Sequence, residues 1–117
     1  MARPRKTGRA SFYKGVNEWN HHMIRDLVGK YGPMGYFVYD VIRCMVYESG
    51  YYLEISLDKL AANVVWTIGN RWIKDKSFVL QVIEYCAEIG LLDRALLQQS
   101  VVTSAEIQEH YSEGTAR

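Results

Sequence analysis

The sequence predicts a mainly α-helical domain with a small β-sheet, arranged as a winged helix-turn-helix with additional N- and C-terminal helices. Three observations lead there. Apolar residues recur at helical spacing in four long segments. Glycines at 32, 50, 69 and 90 punctuate those segments. Short β-rich runs, "YYLEI" and "VV", fall between helices rather than in a block of their own.

Each element has a local reason. Ile24, Leu27, Val28 and Tyr31 share one helical face, and Gly32 stops that helix. Pro33 suits the first turn of the next helix, where a missing N–H costs nothing. Its expected core stripe is Met34, Phe37, Val38, Val41, Ile42 and Met45. A strand is expected from Tyr51 to Ile55, with Tyr51 and Tyr52 on opposite faces. Ser56 can cap a helix that buries Leu57, Leu60, Ala61, Val64 and Val65. "TIGNRWIKDK" reads as a turn, and Ser77 as the cap of a helix burying Val79, Val82, Ile83 and Cys86, with Ile89 nearby. After Gly90, Leu91-Leu92 and Val101-Val102 read as two strands of a hairpin. Thr103 and Glu106 form a capping box for a last helix, Ser104 to about Ser112. Read in order, this is the winged-helix sequence of elements.

With 117 residues, 49% hydrophobic, the chain supports one core. The expected organisation is a flexible basic arm (1–10) followed by a single domain (11–117). No apolar run approaches the ~20 residues of a membrane span, and the basic start lacks the apolar region of a secretory signal. Cys44 and Cys86 lie far apart in apolar helical patterns and read as buried thiols of a cytoplasmic protein. The net charge of +1 hides an asymmetry. Residues 1–14 hold five cations and no acid, while residues 84–117 hold six acids against Arg94 and Arg117. A basic arm and an acidic end suit polar partners of different kinds.

The ordered set "RPRKTG" (Arg3 to Gly8), Phe12-Tyr13, Tyr31-Gly32, "GYFVY" (Gly35 to Tyr39), "GYYL" (Gly50 to Leu53), "GLLD" (Gly90 to Asp93) and "VVTS" (Val101 to Ser104) resembles the amino-terminal domain of DnaD-like primosome proteins and phage replisome organisers. Within that group it is most similar to a branch of phage and Gram-positive bacterial proteins. The resemblance covers nearly the whole chain. It implies a winged helix serving replication initiation or its regulation, through self-assembly at least as much as through DNA. It also implies a following domain that helps bind DNA or the helicase machinery. The sequence ends at Arg117 without one, as a shortened chain or a minimal member.

Candidate DNA contacts are the arm residues Arg3, Arg5, Lys6 and Arg9, the turn residues Asn70, Arg71, Trp72, Lys74 and Lys76, then Gln81 and, near the wing, Arg94. A recognition helix puts its N-terminal residues against base edges, and arms follow the backbone or minor groove. The helix after Ser77 is poor in donors, with Gln81 beside the outward acids Glu84 and Glu88. That composition favours phosphate contact of low specificity over base readout. Tyr36, Tyr39, Tyr47, Trp66 and Tyr85 fall off the expected core faces and are candidate interface residues of a homo-oligomer. The alternative is a protein-interaction module with no DNA contact. Nothing points to an enzyme, cofactor or metal. "GKYGPMG" lacks the phosphate-loop spacing and ending. His21 and His22 are adjacent, about 100° apart on a helix, so they do not chelate together. His22 and Asp26 share a face as an ordinary surface pair.

Overall fold

The computed structural model describes residues 18–73 and 75–109. The expected basic arm and the end of the last helix lie outside them. A single 3₁₀ turn, Glu18–Asn20, leads into α1 (His22–Glu48). β1 (Leu53–Glu54), α2 (Leu57–Ile68), α3 (Lys76–Ile89), α4 (Arg94–Leu97) and β2 (Val101–Val102) follow, then helical residues 105–109. α1 packs against α2 and α3, and α2 against α3. Leu27, Val38, Val46, Leu60, Val64, Val79 and Val82 are fully buried between them. No helix among the described residues is long and apolar enough to cross a membrane.

The two helices expected on either side of Gly32 are the arms of one kinked helix. Gly32 has φ 75° and ψ −173°, far from helical values. Pro33 follows at once, so its absent N–H falls where the ladder is already broken. Gly35 is needed for space. A Cβ there would stand 2.4 Å from the Cβ of Tyr31. Tyr31 then meets Phe78 and Tyr85 of α3 edge-on, at 5.9 and 5.6 Å between ring centroids.

The second arm of α1 buries a different face from the one expected. Tyr36, Tyr39 and Tyr47 are 9%, 2% and 2% exposed, whereas Phe37 is 47% exposed. Met34, Val41 and Met45 are half-buried. The physical reason is an ionic cluster at the centre of that face. Arg43 is only 5% exposed. Its guanidinium grips Glu18 with two parallel bonds, Nη1 to Oε1 at 2.8 Å and Nη2 to Oε2 at 3.1 Å. Nε and Nη2 also donate to Asp40 Oδ1, at 3.2 and 2.5 Å. The Tyr36 hydroxyl donates to Glu18 and accepts from Arg43 Nη2 at 3.2 Å. The guanidinium lies 5.0 Å from the centroid of the Tyr39 ring. A tyrosine buries well when its polar end has partners, and here partners are supplied from inside.

The sheet is a two-residue antiparallel ladder, Leu53 opposite Val102 and Glu54 opposite Val101. It is shorter than the expected strand because Tyr51 turns to φ 79°. The Tyr51 carbonyl accepts from Thr103 Oγ1 and Gln108 Nε2, both at 2.8 Å. Tyr51 is half-buried against Tyr47, and Tyr52 is 50% exposed. The expected hairpin of 91–92 with 101–102 does not form. The Leu91 and Leu92 amides close α3 on the Cys86 carbonyl, at 2.8 and 3.2 Å. The connection then coils into α4, capped by Asp93 Oδ1 on the Leu96 amide at 3.0 Å.

Caps shift slightly from expectation. Asp75, not Ser77, caps α3: its Oδ1 accepts from the Ser77 amide at 3.0 Å. Ser104 caps the last helical residues by accepting from the Ile107 amide at 3.1 Å, while the Thr103 hydroxyl serves Tyr51. Ser56 caps α2 as expected, accepting from the Lys59 amide.

Arg43→Met strips the guanidinium from two carboxylates, one of them 10% exposed. Urea unfolding should show a loss of about 3–5 kcal/mol, as for other broken buried pairs. Gly35→Ala should cost about 2 kcal/mol by the same measurement, through overpacking against Tyr31.

Candidate nucleic-acid interface

The exposed candidate residues gather where α2 gives way to α3. α2 ends at Gly69, whose φ of 101° and ψ of 137° turn the chain out of the helix. The Trp72 and Ile73 amides both return to the Gly69 carbonyl, at 3.0 and 3.2 Å. Ile73 is 3% exposed and plugs this tight turn into the core. With that anchor set, Asn70, Arg71 and Trp72 must face outward, and all three are exposed. Trp72 is 65% exposed and Trp66, in the last turn of α2, 85%. The Arg71 guanidinium lies 5.3 Å from the Trp72 ring centroid.

Between these elements runs an open groove of about 590 Å³, lined by Ala62, Val65, Trp66, Asn70, Asp75 and Lys76. Lys76 reaches Asp58 at 2.6 Å, with both side chains well exposed. Such a pair is worth little and exchanges readily with other ions. The Asp75 carboxyl is held below its ordinary value by the Ser77 hydroxyl, which donates to it at 2.8 Å, and then by the Ser77 amide. The groove thus offers one aromatic wall, an apolar floor, one ammonium and one fixed carboxylate.

α3 presents Ser77, Gln81, Glu84 and Glu88 to solvent. Gln81 is therefore accessible, with acids one and two turns beyond it. Arg94 is exposed but stands apart, lining a separate hollow of about 330 Å³ with Leu80, Glu84 and Leu97. Arg3, Arg5, Lys6, Arg9 and Lys74 lie outside the described residues. Of the expected interface residues, only Trp66 is on the surface. Tyr36, Tyr39 and Tyr47 are consumed by the core. Tyr85 is half-buried between Tyr31 and Lys30, whose Nζ sits 5.1 Å from its ring centroid.

The strongly shifted ionisable groups lie in the core. Burial raises Tyr39, against the opposing pull of Arg43. Burial would lower Arg43, but hydrogen bonds to Glu18 and Asp40 and the nearby charges outweigh it, so it is held above its ordinary value. Burial pushes the Cys86 thiol up to about 12. Cys44 is exposed, a correction to the expectation of two buried thiols. His21 does not continue the helix: its Nδ1 caps α1 by accepting from the Met23 amide at 3.2 Å. Its ring stacks on His22 at 5.2 Å. Among the described residues, no group of three His, Cys, Asp or Glu could hold a metal ion.

The Arg43–Glu18–Asp40–Tyr36 cluster escaped the sequence reading. One signal was available: an arginine inside an apolar helical stripe, with an aspartate three residues earlier.

The profile of one protein family, described as "Lin1244/Lin1753-like, N-terminal", matches residues 12–107. The chain belongs to this family. The matched span of this Lin1244/Lin1753-like domain includes the kinked α1, the ionic cluster and the whole α2–α3 turn. No curated protein and no solved structure matches the chain.

The Asp75 cap gives a pH signature. A carboxyl whose folded value is lowered contributes stability above its unfolded value, ordinarily 3.8, and loses it as pH falls through the folded value. Asp75→Asn keeps a capping oxygen without the charge. Compared by thermal melts on descending pH, the wild type should lose stability below 3.8 more steeply than this variant.

Proposed function

We propose that this domain is a non-enzymatic accessory module of phage or bacterial DNA replication. It works in the cytoplasm, by self-association and by weak DNA binding of low sequence specificity. The observation that carries this reading is the α2–α3 turn, where Asn70, Arg71 and Trp72 are exposed beside Lys76. Two helices joined by a short turn, followed by a strand that pairs back to β1, are compatible with a winged helix-turn-helix whose wing is shortened to a coil and α4. The resemblance to DnaD-like amino-terminal domains supports the same reading. Cations in the turn suit phosphate, whereas Glu84 and Glu88 on the outer face of α3 disfavour a base-reading helix. The basic arm would add phosphate contacts along the backbone. Replication proteins and a second copy of the chain are the protein partners this reading implies.

One observation favours a pure protein-interaction module instead. Trp66 is 85% exposed, and tryptophan is enriched among residues that anchor protein interfaces.

Fluorescence anisotropy with labelled DNA tests the main reading. Binding should be present at low salt and should weaken on the order of 40-fold between 50 and 200 mM salt if about three phosphates are contacted. Arg71→Ala should reduce that salt slope by about one. Absence of binding at low salt would sink the DNA half. A strictly monomeric molar mass by light scattering at high concentration would sink the self-association half.

A further inference from the structure

The cation-bearing turn raises a question that phosphate contact alone does not answer: why two indole rings stand beside it in water. A duplex offers a protein phosphates, sugars and groove edges, and its base faces are covered by stacking. Neither Trp66 nor Trp72 finds a partner ring of its own among the described residues' ring contacts, apart from the Arg71 guanidinium over Trp72. Both are exposed; Trp66 lines the groove together with Lys76, and Trp72 stands in the adjoining turn beside Arg71. Exposed aromatic faces next to phosphate-binding cations are what an unpaired strand requires, because every unstacked base presents a π-face.

The groove has the matching shape. At about 590 Å³ it falls within the range of small-molecule sites, which span ~300–1,000 Å³. Its lining brings together the indole of Trp66, the apolar side chains of Ala62 and Val65 and the ammonium of Lys76. Asp75 keeps its charge on the same lining, its carboxylate held by the hydroxyl and amide of Ser77, so a phosphate must sit on the Lys76 side of the groove. α3 argues against duplex as the favoured ligand, since Glu84 and Glu88 would meet the phosphates flanking a major groove.

Resting on the DNA-binding reading above, we propose that the α2–α3 turn is a single-strand site. One base stacks on Trp66 in the groove and another on Trp72, and the linking phosphates are held by Arg71 and Lys76. Lys76 exchanges its exposed partner Asp58 for a phosphate. No covalent step is involved, and the occupant is single-stranded DNA of any sequence.

The test uses the full chain with two fluorescent probes, oligo(dT) of about 16 nucleotides and a duplex of similar length, at low and moderate salt. The variants are Trp66→Ala, Trp72→Ala and Trp72→Phe. Both positions are solvent-facing, and unchanged circular dichroism melts establish that the fold is kept. The expected result is tighter binding of oligo(dT) than of duplex. Each alanine variant should weaken oligo(dT) binding on the order of tenfold and duplex binding less than about twofold, with Trp72→Phe keeping most of the affinity. If the alanine variants leave oligo(dT) binding unchanged, or weaken both probes equally, the single-strand site is overturned while DNA binding stands. If neither probe binds at low salt, both readings fall. A change in molar mass on Trp66→Ala, with DNA binding unaltered, would assign that ring to a protein interface and likewise overturn the proposal.

Discussion

The buried guanidinium of Arg43 is the constraint around which the rest is arranged. It joins the turn before α1 to the middle of α1, 25 residues on, through a two-point bond to Glu18. Removing an arginine and a glutamate from water costs roughly what their attraction returns, so such a pair gives little net stability. Its effect here is geometric. Satisfying the fork fixes the rotation of the second arm of α1, brings Tyr36 and Tyr39 inside, and turns Phe37 out. Had the arm packed on Phe37 and Val41, Arg43 and Glu18 could not have met below the surface.

The kink at Gly32 carries that rotation to the α2–α3 end of the molecule. The bend and the missing Cβ of Gly35 let Tyr31 lie across the helix and receive Phe78 and Tyr85 of α3. α3 is thereby placed against the first arm of α1, and α2 fills the remaining side. Among the described residues of the α2–α3 turn, Ile73 points into the core. The outward display of Asn70, Arg71 and Trp72 is thus a consequence of packing elsewhere.

Charge is divided along the same lines. Arg71 lies in the turn and Lys76 at the start of α3, beside the carboxylates Asp75 and Asp58, and the later turns of α3 carry acids only. A ligand that touches the turn avoids Glu84 and Glu88, whereas one that lies along α3 must face them. On the proposed reading, a ligand's phosphates stay at the α2–α3 end, away from Glu84 and Glu88. Arg94, which sequence position had grouped with the wing, lines a different hollow together with Glu84 and takes no part in that surface.

The sequence by itself determined the long helices, their breaks at Gly32, Gly69 and Gly90, the capping serine of α2, the buried face of α3, the Leu60–Ala61–Val64 core of the α2 face, and the exposure of the Asn70–Trp72 turn, whereas Leu57, expected inside, is 38% exposed at the first turn of α2. These follow from local physics: apolar period, glycine conformations and capping chemistry. It also placed a short strand pair in the right region, though not which segments pair. Tertiary structure decided the phase of the second α1 arm. Tyr36, Tyr39 and Tyr47 fell off the expected core face, and whether they and Arg43 can be buried depends on partners distant in sequence, as Glu18 is from Arg43. It likewise decided that Leu91 and Leu92 close α3 instead of forming a strand, because the same apolar pair satisfies either a helix end or a ladder. The site was half legible for the same reason. Exposure of the turn is local, but its meeting with Trp66 and Lys76 around one groove is a property of how α2 and α3 cross.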